Sequence, residues 1–138
     1  MKVVILSSLA WSLINFRGAL IARMVADGHE VIAAAPDEEP EVLARLAAMG
    51  VAFRRTPMAR TGTNPLQDAR TLLDYVRLLR TERPEVVIAY TQKPIIYGGL
   101  ATRLLGGMRL FAIMSGLGYV FSEEADGRRW LRAAVSRL

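Results

Sequence analysis

The sequence lacks several residue types on which whole classes of proteins depend. None of the 138 residues is cysteine, which excludes a disulfide scaffold, a zinc ribbon and thiol catalysis. His29 is the single histidine, so no second imidazole is present for a histidine metal site or a His relay. Apolar runs such as Val3–Leu6 and Val86–Ala89 are far shorter than the roughly 18 residues of a membrane-spanning helix. No signal peptide is evident either, and we expect a soluble, cytoplasmic protein without a metal site.

Lysine is scarce, and acidic residues are scarce in the second part of the chain. Arginine supplies 16 of the 18 basic residues. Residues 1–50 carry four basic and six acidic side chains, whereas residues 51–138 carry fourteen and seven, a net charge of +7. Arginine favours bidentate contacts with phosphate. The surplus therefore indicates either a face turned to the phosphate of a nucleotide or an anionic lipid, or an ordinary solvated surface.

Apolar segments alternate with helical patterns along the whole chain. A hydrophobic content of 52% excludes a disordered chain, and 138 residues make one domain, 1–138. Helical patterns begin near Phe16, Pro40, Pro65, Ile95 and Arg128. Five strands are predicted between them, at Lys2–Ser7, Glu30–Ala35, Val51–Arg55, Val86–Tyr90 and Arg109–Met114. This alternation predicts an α/β fold, a doubly wound Rossmann-like parallel sheet with helices on both faces.

Loops that follow strands one, four and five are the candidates for function, because open parallel sheets bind ligands beyond the carboxyl ends of their strands. The first loop holds a single glycine, Gly18, so it matches neither Gly-x-Gly-x-x-Gly nor a Walker A motif. Serine and threonine stand where a receiver domain needs acidic residues, and no strand end shows paired carboxylates for glycoside hydrolysis. The sequence therefore disfavours a nicotinamide dehydrogenase, a P-loop enzyme and a glycosidase.

Three side chains stand out in the first loop, Ser8–Gly18. Trp11 is either a stacking surface for a sugar or lipid or an aromatic at the edge of the core. Asn15 either caps a helix that starts at Phe16 or binds ligand. Arg17 lies in the first helical turn, where the helix dipole disfavours a cation, so it indicates either a nearby anion or a surface ion pair.

Two later loops allow the same kind of alternatives. Lys93, just after the fourth strand, indicates either a nearby anion or a surface ion pair, as Arg17 does. The loop Ser115–Tyr119 contains Gly116 and Gly118, which permit either close approach of the backbone to a ligand or a tight turn. Arginines of the last helical pattern, Arg128–Leu138, indicate either contact with an anionic membrane or a solvated helix.

Four motifs in order resemble the N-terminal domain of family 4 glycosyltransferases of bacterial capsule and exopolysaccharide synthesis. They are Ser7-Ser8-(x)2-Trp11-Ser12-Leu13-Ile14-Asn15-Phe16-Arg17-Gly18, Gly28-His29-Glu30-Val31, Thr91-Gln92-Lys93-Pro94-Ile95-(x)2-Gly98 and Gly116-Leu117-Gly118-Tyr119. The resemblance covers essentially the whole chain. It implies one half of a GT-B fold, the half that binds the acceptor.

The resemblance further implies a retaining transfer of a sugar from a nucleotide sugar, UDP-linked by expectation, to a saccharide or lipid-linked acceptor. No metal or other cofactor is implied, and nucleic acid is not an expected partner. The donor-binding C-terminal domain would lie in cis or on a partner chain, with an anionic membrane as a possible further partner. Substrate contacts are expected from Ser8, Trp11, Asn15, Arg17, Gly18, Thr91, Lys93, Ser115, Gly116, Gly118 and Tyr119. The catalytic residue stays unassigned, because many members carry a histidine where this chain has Ser115–Gly118.

Two alternatives remain open at this level. The chain is also compatible with a non-catalytic, membrane-recruited subunit of a two-chain glycosyltransferase, or with an unrelated Rossmann-like nucleotide-binding module. Parallel strands in addition require the three candidate loops to converge on one edge of the sheet. His29, at the start of the second strand, is expected at the opposite edge.

Overall fold

The computed structural model describes residues 1–57 and 65–113. Strands and helices alternate through this part of the chain and confirm the predicted α/β class. In chain order they are β1 (Lys2–Leu6), α1 (Ala10–Asn15), α2 (Gly18–Ala26), β2 (Glu30–Ala35), α3 (Pro40–Ala48), β3 (Ala52–Arg55), α4 (Pro65–Glu82), β4 (Val86–Tyr90), α5 (Gln92–Leu105) and β5 (Arg109–Ile113). The predicted basic helix Arg128–Leu138 lies outside the described residues.

The five strands form one parallel sheet in the order β3-β2-β1-β4-β5. Strand β1 pairs with β2 on one side and with β4 on the other, so the chain reverses its direction of winding between β1 and β4. Open α/β sheets bind ligands in the crevice at this switch point, outside the carboxyl ends of the strands. The topology therefore indicates that a ligand site would lie at the loops after β1 and β4.

The core consists of two apolar clusters, one on each face of the sheet. Residues of β1, β2 and β4 pack against α1, α2 and α3 on one face, with Leu13 and Ile21 fully buried. The alternate residues of these strands pack against α4 and α5 on the other face, with Tyr75 and Leu79 fully buried. Burial of both faces explains the nearly continuous apolar sequence of the central strands.

The helix α1 corrects the prediction of a polar turn between Ser8 and Asn15. Its residues Ala10 and Leu13 are fully buried, three positions apart as on one helix face. The predicted cap at Asn15 is also wrong, because Asn15 is the last residue of α1 and its Nδ2 donates to the backbone oxygen of Trp11 at 2.9 Å. The second helix begins at Gly18, with Arg17 as its N-cap residue.

Helix α5 begins at Gln92, three residues before the predicted start at Ile95. The prediction placed Pro94 outside the helix, but proline is tolerated in the first turn because the N–H that it lacks has no partner there. Thr91 and Lys93 consequently lie at the N-terminal end of a helix of 14 residues. Lys93 therefore belongs to a helix and not to a loop.

Gly98 brings α5 into close contact with β1. A Cβ atom at this position would lie 2.7 Å from Cδ1 of Leu6, which is fully buried and has little room to turn away. We expect Gly98→Ala to lower the free energy of unfolding by about 1–3 kcal/mol, measured by urea denaturation, because overpacking strains a filled core. Gly18→Ala is the control, since nothing lies within 4 Å of that position. Equal stability of Gly98→Ala and the unchanged chain would contradict this account of the contact.

Candidate functional site

The loops after β1 and β4 meet at the switch point. The Thr91 hydroxyl donates a hydrogen bond to the Ser8 hydroxyl oxygen across 3.0 Å. These residues lie 83 positions apart in the sequence, and the neighbouring positions of β1 and β4 in the sheet bring them together. Two of the three candidate loops therefore converge as predicted. The third, Ser115–Tyr119, lies outside the described residues.

Thr91 has a strained backbone at this junction. Its φ of 68° and ψ of 171° fall in a region that is populated almost only by glycine, and threonine is β-branched. Such a conformation costs about 1–3 kcal/mol and persists only where the surroundings impose it. Backbone strain of this kind is concentrated at functional sites, so Thr91 strengthens the assignment of the site to this edge.

The N-terminus of α1 is occupied by a carboxylate of the protein itself. Oδ1 of Asp37, which follows β2, accepts the backbone N–H of Ala10 at 2.9 Å. The Ser7 hydroxyl oxygen accepts the backbone N–H of Leu9 at 3.2 Å and lies 3.0 Å from the Ser12 hydroxyl. A nucleotide phosphate in a Rossmann-like fold uses the first helix N-terminus for its backbone donors. In this chain the carboxylate of Asp37 already accepts a hydrogen bond from the N-terminus of this helix.

Arg17 stacks on the last residue of β4. Its guanidinium carbon lies 4.3 Å from the centre of the Tyr90 ring, a cation–π contact. Burial raises the pKa of the Tyr90 hydroxyl, and the positive charge of Arg17 opposes the shift. Within the described part of the chain Arg17 forms no salt bridge, so the ion pair considered from the sequence is not present there. Its charge thus remains available beside the crevice.

An exposed aromatic pair stands beside Arg17. The rings of Trp11 and Phe16 meet edge to face, with their centres 5.0 Å apart. Trp11 is 40% exposed and Phe16 is 65% exposed, so neither ring belongs to the core. The next residue after Arg17, Gly18, opens α2 with free space where a side chain would stand. This end of the molecule therefore offers an apolar surface next to a cation.

Lys93 is held by a partner that the sequence prediction did not include. Its Nζ lies 2.9 Å from Oδ1 of Asp68 in α4, and only 12% and 13% of the two side chains are exposed. Burial, together with a hydrogen bond and the negative charge of Asp68, raises the pKa of Tyr97 to about 12. Lys93, Asp68 and Tyr97 thus connect α4 to α5. Lys93 thus forms an ion pair, but the pair is largely buried and does not lie at the surface. A contact between Lys93 and substrate stays a prediction.

Comparison with known families identifies the chain. A model of the glycosyl transferase 4-like domain matches residues 16–138. The chain belongs to this family. No curated protein sequence matches it.

Solved structures share the fold of this glycosyl transferase 4-like domain at low sequence identity. MurG of Acinetobacter baumannii superimposes with a TM-score of 0.63 at 17% identity, over 82% of this chain and 33% of MurG. UDP-GlcNAc 2-epimerase of Methanocaldococcus jannaschii gives 0.62 at 15%, over 99% and 37%. A deacetylase of teicoplanin biosynthesis gives 0.65 at 14%, over 99% and 81%. The domain thus spans about a third of the first two proteins, and its fold is the Rossmann-like half of a GT-B architecture.

Four residues of the glycosyl transferase 4-like domain carry contacts that sequence reasoning did not assign to the site. They are Phe16, Asp37, Asp68 and Tyr90. Asp37 lies two residues after the end of β2, and Tyr90 is the last residue of β4, so both stand at strand ends where the sequence could have indicated them. In residues 1–57 and 65–113 of the domain, no three His, Asp or Glu side chains group closely enough to hold a metal ion. No helix in those ranges has the length and apolar character to cross a membrane.

Tyr97 gives the glycosyl transferase 4-like domain a measurable dependence on high pH. The folded state holds the phenol proton up to a pKa of about 12, whereas the unfolded state loses it near 10.0. The contribution of Tyr97 to the free energy of unfolding is therefore fully present below pH 10, and it is lost as the pH rises from 10 to 12. We expect Tyr97→Phe to make this decline shallower in urea unfolding at a series of pH values. Burial also raises the pKa of Tyr75 and Tyr90, so part of the decline should remain. An unchanged slope would contradict the prediction.

Proposed function

We propose that this domain is the acceptor-binding half of a retaining glycosyltransferase. The reaction moves a sugar from a UDP-linked donor to a lipid-linked saccharide, in the synthesis of cell-surface polysaccharide at the inner face of the membrane. The carrying observation is the meeting of the loops after β1 and β4 at Thr91 and Ser8, together with the exposed Trp11–Phe16 pair and the cation of Arg17 on Tyr90. Membership of the glycosyl transferase 4-like family supports sugar transfer as the chemistry.

The chemical character of the crevice favours an acceptor over a nucleotide. Asp37 fills the N-terminus of α1, so a donor diphosphate would meet a negative charge there. A lipid-linked saccharide carries an apolar chain, an anionic linkage and sugar hydroxyls. Trp11 and Phe16 supply apolar surface, and Arg17 supplies the positive charge. Ser8 and Thr91 add hydroxyl groups that exchange hydrogen bonds with sugars.

Each half of the enzyme has a distinct part in the proposed reaction. The bond between the anomeric carbon and the departing diphosphate breaks, a bond to the acceptor oxygen forms on the same face, and the acceptor hydroxyl passes its proton to an oxygen of the departing diphosphate. Positive charge develops on the sugar ring and negative charge on the diphosphate. This domain orients the acceptor, with Arg17 near the reacting centre. The donor-binding half, in cis or on a partner chain, holds the nucleotide.

Thermal unfolding with separate ligands tests the proposal. We expect a polyprenyl-diphosphate saccharide to raise the Tm of the 138-residue chain, and NAD to leave it unchanged. Phe16→Ala should weaken the shift from the acceptor, whereas Phe111→Ala should not, although it removes a ring that is 53% exposed against 65% for Phe16 and lies in the middle of β5. We also expect the isolated chain to turn over no nucleotide sugar. Stabilisation by NAD alone, or sugar transfer by the isolated chain, would overturn the proposal.

A further inference from the structure

The hydroxyl of Tyr90 is a buried polar group without a partner. Tyr90 is 4% exposed, and its Oη atom forms no hydrogen bond in the described part of the chain. Buried hydroxyls are nearly always paired, because an unpaired one has lost its water and gained nothing in return. Burial raises the pKa of this phenol above 10.0, so at neutral pH the hydroxyl keeps its proton and can donate it to a hydrogen bond. The last residue of β4 thus carries an unused donor.

The backbone around Tyr90 is fixed from two directions. Tyr90 is paired with Ile113 of β5 in the sheet. The next residue, Thr91, has the strained φ of 68° and is hydrogen-bonded to Ser8. The hydroxyl oxygen lies on the axis of the ring, so a flip of the ring does not move it toward another partner. The unpaired donor is therefore held in place at the switch point of the sheet.

Arg17 covers one face of the Tyr90 ring but is held there weakly. Its guanidinium carbon lies 4.3 Å from the ring centre, and its side chain is half-buried. Among residues 1–57 and 65–113 this guanidinium group forms no salt bridge, so the contact with the ring is what holds it. Charge-assisted hydrogen bonds to a phosphate are stronger than a cation–π contact of this kind. A phosphate beside Arg17 would therefore draw the guanidinium group off the ring.

The elements around Tyr90 contain no acidic side chain. This holds for β4 itself, for β5 beside it, for α5 after it, and for α1 and α2 on its face of the sheet. Arg17 is also the N-cap residue of α2, where the helix dipole adds a positive potential. Asp37 contacts Ala10 at the start of α1, whereas Arg17 lies beyond the end of that helix. The surroundings of Tyr90 therefore favour an anion as the ligand.

We propose that Tyr90 binds a phosphate group of the acceptor: the phosphate draws Arg17 off the ring, and the uncovered phenol donates a hydrogen bond to one of its oxygens. The guanidinium group and the protonated phenol both supply hydrogens, and a phosphate supplies only acceptor oxygens and negative charge. A neutral saccharide would leave Arg17 on the ring and the phenol unpaired. The inference rests on the proposed function and specifies it, because it makes a phosphate on the acceptor a requirement for tight binding.

Thermal unfolding of Tyr90→Phe without ligand tests whether the hydroxyl is unpaired. The variant keeps the ring under Arg17 and removes only the hydroxyl, so we expect its Tm to rise by about 3 °C. Tyr97→Phe is the matched control, because its hydroxyl is hydrogen-bonded to Asp68 and its removal should lower the Tm. A Tm of Tyr90→Phe below that of the unchanged chain would overturn the proposal, since the hydroxyl would then have a partner within the protein.

Calorimetric titration of the 138-residue chain with geranyl diphosphate tests the ligand. We expect Tyr90→Phe to weaken this binding about 10-fold, and geraniol, which lacks the diphosphate, to bind the variant and the unchanged chain equally. Combining Tyr90→Phe with Arg17→Gln should weaken binding less than the product of the two single losses, because both side chains bind one phosphate.

The remaining outcomes separate this inference from the proposed function. Equal affinity of Tyr90→Phe and the unchanged chain for geranyl diphosphate would overturn the inference, and the proposed function would stand on its other contacts. Inorganic diphosphate that binds as tightly as geranyl diphosphate would also overturn it, because the site would then serve a free phosphate. If neither geranyl diphosphate nor a polyprenyl-diphosphate saccharide binds the unchanged chain, the proposed function itself is wrong.

Discussion

Replacing Lys93 by methionine is expected to lower the free energy of unfolding by about 3 kcal/mol. The side chains of Lys93 and Asp68 are 12% and 13% exposed, so the variant leaves a largely buried carboxylate without its cation. The Tyr97 hydroxyl still donates to Asp68 but supplies no charge. Urea denaturation at neutral pH measures the effect.

Two further variants separate a buried pair from a surface pair. Asp68→Asn combined with Lys93→Met removes both charges, so the double variant should be more stable than Lys93→Met alone. Arg23→Met breaks the exposed pair with Asp27, where 79% and 51% of the side chains are exposed, and should cost less than about 1 kcal/mol. If Lys93→Met lowers the free energy of unfolding by no more than Arg23→Met does, solvent screens the Lys93–Asp68 pair and the prediction is wrong.

Arg17→Ala is expected to lower the turnover of the complete transferase by about 10²–10³-fold. The guanidinium group stands beside the crevice on the ring of Tyr90 and forms no salt bridge in the described part of the chain. Its loss removes charge near the site where the anionic linkage of the acceptor is proposed to bind. Stability should fall by about 1–2 kcal/mol, because the cation–π contact is partly buried and the Tyr90 ring is only 4% exposed.

Initial rates at saturating donor and varied acceptor provide the measurement. Arg17→Lys retains the positive charge and should recover part of the turnover, although it loses the planar guanidinium group. Arg109→Ala, at the exposed start of β5 and so at the opposite edge of the sheet, is the control and should have no effect. Turnover of Arg17→Ala within about threefold of the unchanged enzyme would exclude a role in phosphate binding, since a lost charge-assisted hydrogen bond costs more than that.

The sheet could be predicted from the sequence because its central strands are buried on both faces. Strands with two covered faces need apolar residues at every position, as in Val3–Leu6 and Val86–Ala89, and this signal is local. Helix α1 was missed for the opposite reason. Its N-terminus is stabilised by Asp37, which lies 27 residues away from Ala10. Because the capping carboxylate lies on another loop, the sequence around the start of the helix contains no capping residue that would predict it.

The sequence predicts where in the fold the candidate site lies, but it does not predict which side chains contact one another there. Parallel topology alone brings the loops with Ser8 and Thr91 to one edge, and they meet there. Arg17 and Lys93 received the same two alternatives because both are cations near a helix start. The structure separates them through partners that are distant in the sequence, Tyr90 for Arg17 and Asp68 for Lys93. Spacing along the chain carries no information about such partners.

The links between loops of three different strands affect how a ligand would bind. Asp37 ties the loop after β2 to α1, and Thr91 ties the loop after β4 to Ser8. These hydrogen bonds hold the backbone on both sides of the crevice, so a ligand that binds there has less backbone to order than one that binds a mobile loop. A rigid fragment of the acceptor should therefore bind with a binding free energy per non-hydrogen atom that is at least as favourable as that of the whole acceptor. Small, stiff sugar analogues are accordingly the best first compounds for an inhibitor of this edge.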